Sequence, residues 1–550
     1  MNMNCQATPE TIVVVAPRLP EAPSDEAYSS YPIDPQALSD AIRLDDALRI
    51  APGVSLFRRS DSGPANATTQ GLSVRALAPS GAGRALVTLD GMPLNDPFGG
   101  WVLWGALAPD TIARADILRG VGAGPYGAGA LTGVVSLEER RRPGALFSAE
   151  GGEQGYSRAS GVGEADNDTL SLMLAASGEH SGGWVPVHAR RGAADTDLWF
   201  ETYAGVARAE WRGDGLVFSA RASGYNDARS AGLVGAVSGS NASNLSFTLA
   251  APEGPFSWRL QAWAVKSTLA NISVTTAPDR SSATPANDQT ATPATGWGAN
   301  AALRWSNAAS GIELGTDVRA AAGETRELFS YSAGHFTRAR TAGGRTLTGG
   351  VYAEAWDEIG PWLFSGGARL DAYRAYDGHR LERTIATNAV LLDLAPVDSA
   401  TSSPTARVGF RRAFGQNFLR GTVYQGFRPP TLNELYRPFR VGNDVTEANA
   451  SLRPERLTGV DFGIGGAYRF WAWDAGIFAN RLDDAIVNVT LGAGPGTFPP
   501  GVFVPIGGVF RQRRNAGDID AEGLEAQAHG EFDDVISWRA ALSYTDARLD

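Results

Sequence analysis

"VDFGIGGAYRF", Val460 to Phe470, places Val460, Phe462, Ile464, Tyr468 and Phe470 on one side of an extended chain. Asp461, Gly463, Gly465, Ala467 and Arg469 fall on the other. Side chains alternate across a strand with period two, so the stretch reads as a strand with one greasy face and one polar or small face. "FSWRLQAWA" repeats the pattern, with Trp258, Leu260, Ala262 and Ala264 against Ser257, Arg259 and Gln261; only Trp263 falls on the polar side. "TARVGFRRAF" and "GLEAQAHG" follow the same rule. Between Ala145 and Asp550 the pattern recurs in about seventeen segments.

The connections between these segments alternate in length. Short turns such as "ADND" at 165, "RGDG" at 212, "APEGP" at 251, "EIGP" at 358 and "FGQN" at 414 alternate with polar stretches of roughly fifteen to thirty residues. The long stretches cover 180–198, 226–242, 269–296, 323–344, 375–403, 428–455 and 488–517. A soluble sandwich has no reason to keep its long loops at one end, whereas a barrel spanning an outer membrane does so by construction. Closing the sheet removes open edges from lipid, and the outward face becomes apolar. Trp199, Trp211, Trp297, Trp305, Trp362 and Trp471 lie near strand ends, where aromatic belts form at the two interfaces. The fold class expected is therefore a transmembrane antiparallel β-barrel.

Composition agrees. The 550 residues include 66 Gly, 14 Trp and 14 Tyr but only 4 Met and one Cys, as suits short strands and turns. A net charge of -11 disfavours a nucleic-acid partner. Cys5 alone excludes an intrachain disulfide and cysteine-rich metal sites. The five histidines, at 180, 188, 335, 379 and 529, show no metal-binding spacing, and His180 and His188 share one loop. No nucleophile elbow or zinc-protease motif is present, so no enzyme and no catalytic residue is expected. No run approaches the ~18 apolar residues of a membrane helix. "MNMNCQATPE" lacks a secretory leader, so either the protein is cytoplasmic or its start lies upstream. Ending at "SYTDARLD" inside a hairpin, the chain is expected to lack several strands.

Two regions precede the barrel at 143–550. Residues 1–35 are polar, with prolines at 17, 20, 23, 32 and 35, as suits an extended tether. Residues 36–142 read as a small α+β domain. "LSDAIRLDDALRIAPGV" suggests a helix with Leu38, Ile42, Leu44 and Leu48 on one face, "RALVTLDGMPL" a strand and turn, and "TIARADILRGV" a helix or strand. Gly122, Gly124 and Gly127 match GxGxxG, but Gly129 and Gly133 follow at once and no acidic partner lies about twenty residues on, so tight packing is favoured over nucleotide binding.

"LDDALRIAPGVSL", "TTQGLSVRALAPSGAGRALVTLDGMPLNDPFGG" and "ILRGVGAGPYGAGALTGVV" resemble the plug domain of the TonB-dependent receptors of Gram-negative outer membranes. "GFRPPTLNELY", "NASLRPERLTGVDFG" and "RNAGDIDAEGLEAQ" resemble recurrent segments of that family's barrel. The resemblance implies a 22-stranded barrel around a plug, in the outer membrane, with about five strands missing here. It also implies the inner-membrane protein TonB as partner, with a TonB box at Glu10, Thr11, Ile12, Val13, Val14, Val15 and Ala16. A short β-branched run on a tether suits strand addition to a partner's sheet edge.

Arg75, Asp90, Arg114, Asp116 and Arg119 are similar to family residues that hold plug to barrel; the alternative is solvation in a wet lumen. Gly91, Gly120 and Gly127 are expected to be structural. The chain departs from the family pattern at Ala76, where Gly is usual, and in "GVVSLEERR", where Glu138 and Glu139 interrupt an apolar strand. The function implied is energised uptake of a small, scarce extracellular ligand, with ferric siderophores first and cobalamin, other chelates and oligosaccharides open. No resident cofactor is implied. Phe427 to Pro454 contains no His, which disfavours haem. Asp444 and Glu447 fit either a cation site or a solvated loop. The rival readings are a passive porin or adhesin barrel, or a soluble glycan-binding β-protein. A monomer in contact with outer-membrane lipid completes the expectation.

Overall fold

The computed structural model describes residues 17–19, 22–58, 60–75, 77, 80–120, 122–532 and 536–549. From Gly144 onward the chain forms one antiparallel sheet closed into a barrel. Neighbours follow chain order, from Gly144–Gly151 and Ser157–Asp166 round to Ile519–Phe532 and Ile536–Leu549. Nineteen segments make the wall, but Ala283–Ala291 runs on into Ala294–Ser306, and Val390–Leu394 into Ser399–Phe414. Pro293 and Pro396 stand at the two breaks, where a residue without an N–H cannot continue the ladder. Seventeen wall strands result, the number expected.

Burial along the wall is the reverse of that in a soluble protein. In Glu455–Ala467, Val460, Phe462 and Ile464 are 40 to 49% exposed, whereas Glu455 and Asp461 are almost wholly buried. The apolar face looks out to lipid and the ionic face looks into the lumen. Tyr468 and Phe470 lie beyond the end of this strand, in the turn, where Tyr468 stacks on Trp471 at 5.0 Å. Trp211, Trp305 and Trp471 are exposed at the short-turn end, with Trp362 stacked on Phe364 at 5.8 Å beside them. Trp199 belongs instead to the 182–199 loop and is half-buried.

The short turns gather at one end, at 167–169, 214–215, 252–255, 307–309, 360–361, 415–416 and 468–470. Three of the seven expected loops, at 182–199, 429–454 and 484–518, are long connections. The other four are largely strand: Leu216–Ser230 and Val237–Ala251 run into 226–242, Phe256–Thr276 and Ala283–Ala291 into 269–296, Ser310–Ser332 and His335–Ile359 into 323–344, and Trp362–Thr384, Val390–Leu394 and Ser399–Phe414 into 375–403. These hairpins rise past the apolar band, where both faces are polar. The ladder continues there, but the lipid-imposed alternation that reveals a strand in sequence is lost.

Within the barrel sits a five-stranded sheet in the order Ser29–Pro32, Ile112–Arg119, Gly133–Glu139, Ala85–Leu89, Met92–Pro93. Its own core includes Leu38, Leu44, Leu48, Val87, Trp104 and Val135. "TIARADILRGV" is thus a strand after one short turn of helix. The tether expected over 1–35 is shorter, because Ser29–Pro32 already pairs with 116–119 as the sheet's edge. Pro32, at the end of an edge strand, needs no donor there. The single helix expected over 38–48 is two, Pro35–Asp40 and Leu44–Leu48. Between them Ala41 is extended and Ile42 is 43% exposed; the break lets Arg43 turn outward to Glu179 of the wall and Ser62.

Candidate functional site: the seat of the plug in the barrel

Lys266 is the only lysine in the chain, so apart from the five histidines every other basic side chain is a guanidinium. That matters because a planar fork can hold two carboxylates at fixed angles where a point charge cannot.

Arg75 uses its fork fully. Its Nη2 binds Asp461 and lies 3.1 Å from Glu525, Nε is 3.2 Å from Glu525, and Nη1 donates to Tyr424 Oη at 3.0 Å. The guanidinium also lies 4.1 Å from the centroid of the Phe478 ring. All four partners belong to the wall. The backbone of Arg75 is left-handed, with φ of 59°, and its N–H donates to Gly53 O at 2.6 Å. A non-glycine residue held there marks a conformation imposed by surrounding contacts. Arg119 joins the same cluster, with Nε 3.5 Å from Glu525 and Nη2 donating to Pro52 O at 2.7 Å; Nη1 lies 3.3 Å from Ser29 Oγ.

A second cluster fastens the end of Gly133–Glu139. Glu139 is buried and accepts from Arg208 at 3.1 Å and Arg221 at 2.8 Å, both on the wall. Arg141 in the linker joins Asp90 at 2.8 Å to Glu210 of the wall at 3.0 Å. Burial works against a charge on Asp90, but Arg141 overrides it and holds the carboxyl below its ordinary range. The departure from the family pattern at Glu139 is therefore an anchor. Glu138 pairs instead with Arg18.

The five charged residues expected at this interface thus divide. Arg75 and Arg119 reach the wall directly, and Asp90 reaches it through Arg141 and through its own carbonyl, which accepts from Gln261 at 2.9 Å. Arg114 and Asp116 pair with each other at 2.6 Å on one plug strand. Gly91, Gly120 and Gly127 all face the wall. A Cβ on Gly120 would meet the Tyr424 ring at 2.7 Å, and one on Gly127 the Arg369 guanidinium at 2.5 Å, while φ of 70° and 65° disfavours any side chain. Gly91, in the Asp90–Gly91 turn, lies as close to Arg259. Gly122 and Gly124 also abut the wall, which is why the GxGxxG match carries no phosphate cradle. The expected TonB box, residues 10–16, lies outside the described residues.

At the long-loop end the plug is roofed. Phe98 and Trp101 pack with Tyr373 of the wall and with Leu432, Leu435 and Tyr436 of a short helix, Leu432–Tyr436. Asn433 N donates to Phe98 O at 2.9 Å. Asp444 and Glu447 are both engaged within the protein, with Arg511 at 2.9 Å and Arg380 at 2.5 Å. Sequence reading missed Arg84, Glu139 and Arg141. Arg84 could have been noticed as a charge set directly before a strand, Ala85–Leu89, that is apolar but for Thr88.

A plug seated by ion pairs inside a lipid-facing barrel defines the class. The family model for the TonB-dependent receptor-like β-barrel matches residues 148–550, and that for the TonB-dependent receptor plug domain matches 24–134. The chain belongs to the TonB-dependent receptor family, whose members are receptors and transporters of Gram-negative outer membranes. Comparison with curated protein sequences finds no match. Among solved structures, the siderophore receptor PirA from Acinetobacter baumannii is 15% identical with a TM-score of 0.70, over 95% of this chain and 80% of that one. The ferric yersiniabactin uptake receptor FyuA from Yersinia pestis is 13% identical with a TM-score of 0.72, over 95% and 79%. The Serratia marcescens hemophore receptor HasR, solved with its hemophore HasA and heme, is 17% identical with a TM-score of 0.72, over 96% and 82%. At these identities the likeness is one of fold.

Proposed function

We propose that the protein imports a scarce extracellular ligand across the outer membrane by plug displacement, with TonB pulling on residues 10–16, and that the ligand is a ferric siderophore. The observation carrying this reading is the plug's ionic seat. A domain meant to leave the lumen or rearrange within it cannot be glued by a large apolar interface, because exposing that surface would be too unfavourable. Arginine–carboxylate pairs, buried while the plug is seated, are taken up by water once it moves, so parting them exposes polar and not apolar surface. Two of the structural neighbours are named for siderophore uptake, which supports that choice of cargo, and the third binds a hemophore carrying heme.

Ligand binding must favour exposure of the tether, since otherwise empty receptors would be pulled as readily as loaded ones. The test is uptake of radiolabelled iron from a panel of ferric siderophores by iron-starved cells that depend on this receptor. Deleting residues 10–16 is expected to abolish uptake while the barrel still assembles in the outer membrane. Undiminished uptake by the deletion would indicate a passive pore. Assembly without uptake of any panel member by the full chain would overturn the cargo assignment.

A further inference from the structure

The roof over the plug is wired to it. Thr431 and Glu434 form a capping box, with Thr431 N donating to Glu434 Oε2 at 2.8 Å and Glu434 N to Thr431 Oγ1 at 3.2 Å, which starts the helix Leu432–Tyr436. The same Glu434 carboxylate takes both Nη atoms of Arg428 at 3.0 Å. Arg428 Nε passes on to Glu455 Oε2 at 2.5 Å. Glu455 Oε1 then accepts from Arg84 of the plug, at 3.1 Å from Nε and 2.6 Å from Nη2. Burial opposes ionisation of Glu434, yet Arg428 and the cap hold its carboxyl down at about 2.

We propose that Leu432–Tyr436 is a lid seated on the plug apex, and that Arg84 is the plug residue that senses whether the lid is seated. Charge balance couples the two. With the lid down, two guanidiniums and two carboxylates alternate in a buried row. If the helix leaves, Glu434 goes with it, and Arg428 loses both of its Nη contacts there and is left to Glu455, the carboxylate that also holds Arg84. Taking a carboxylate from a buried guanidinium is strongly unfavourable, so the row must reorganise. Leu435, Leu432 and Tyr436 give the lid its second hold, on Phe98 and Trp101, so a ligand reaching the plug apex must displace it.

Arg84 is placed to pass the change on. Its N–H donates to Leu72 O at 2.8 Å, and its carbonyl accepts from Thr132 N at 2.9 Å and Oγ1 at 3.0 Å. Thr132 Oγ1 in turn accepts from Val74 N at 3.2 Å, next to Arg75. Arg75 and Arg119 share Glu525, and Arg119 reaches Ser29 on the strand that follows the tether. A contiguous polar row thus links the outer roof to the inner edge strand.

The experiment is hydrogen exchange on the full chain in lipid nanodiscs, with no ligand and no TonB. Leu435→Ser unseats the lid without touching the ionic row. Exchange is expected to rise at 432–436 and, by about fivefold or more, at 72–75 and 29–31 as well. With Arg84→Met added, the rise at 432–436 is expected to persist and the distant rise to vanish. A lid that loosens while 72–75 and 29–31 stay unchanged would overturn the proposal, as would a distant rise that survives the loss of Arg84. Should Leu435→Ser fail to assemble, Thr431→Ala removes only the cap and is read in the same way. The proposal takes its purpose from the uptake reading, but the exchange experiment involves neither cargo nor energy, so either can fail alone.

Discussion

Two strands of the plug sheet, one central and one at its edge, are held in different ways. At the centre, Gly133–Glu139 ends in Glu139, caged by Arg208 and Arg221, while Arg141 spans Asp90 and Glu210. At the edge, Ser29–Pro32 is a four-residue ladder on 116–119, and the segment before it touches the wall through looser pairs. Asp25 is 3.9 Å from Arg407, and Glu26, largely exposed, is 3.3 Å from Arg411. Buried bidentate pairs resist displacement far better than long or exposed ones. A force arriving ahead of residue 29 therefore loads the Arg18–Glu138 pair and the weak edge strand first, while the Glu139 and Arg141 pairs keep the central strand in register with the barrel.

Four measurements would break or sharpen that contrast. Glu139→Gln leaves Arg208 and Arg221 short of a carboxylate in a buried site and is expected to lower plug stability by about 3–5 kcal/mol. Exchange should rise across 133–139; if 29–31 loosens instead, the anchoring strand has been misassigned. Arg75→Met removes the guanidinium shared by Asp461 and Glu525 and is expected to cost about 3 kcal/mol, read as faster exchange at 72–75 with the barrel ladders unchanged. Tyr31→Ala opens a cavity at the 3%-exposed core position of the edge strand. It should cost about 2–3 kcal/mol, confined to 29–31 and 116–119. Spread of that loosening into 133–139 would show the edge and the centre of the sheet to be one cooperative unit.

The smallest effect concerns pH. Burial pushes the carboxyl of Asp25 up from 3.8 to about 7; Arg407 and Arg304 work against this, while Glu354 and Glu313 add to it. The docked segment therefore holds a proton that the undocked one releases, and docking weakens as pH rises from 3.8 to about 7, then levels off. Proteolysis near residues 22–28 should be slower at pH 5 than at pH 8, and Asp25→Asn should flatten the difference. A wild-type rate independent of pH would remove Asp25 from the account.

How much of this is legible without coordinates depends on the range of the interaction. Val460, Phe462 and Ile464 declare a strand because lipid acts on each outward residue separately, and the count of seventeen strands follows. Where lipid ends, as along 323–344 and 375–403, the ladder persists but the signal does not. The helix over 38–48 failed for a related reason: periodicity registers Ile42 as apolar but is blind to the pull on Arg43 from Glu179 across the lumen.

For this protein, the amino-acid order alone determined the barrel, the plug before it, the inward facing of the charged residues and the resemblance that names the family. Each rests on a local rule, alternation or a contiguous motif. Only the tertiary structure decided which charges meet. Arg75 finds Asp461 and Glu525 across separations of 386 and 450 residues, and Arg84 finds Glu455 across 371. Alternation says that such residues point inward, but closure of the barrel and the seating of the plug select the partner, because a guanidinium fork is satisfied only where two carboxylates arrive at the right height and angle.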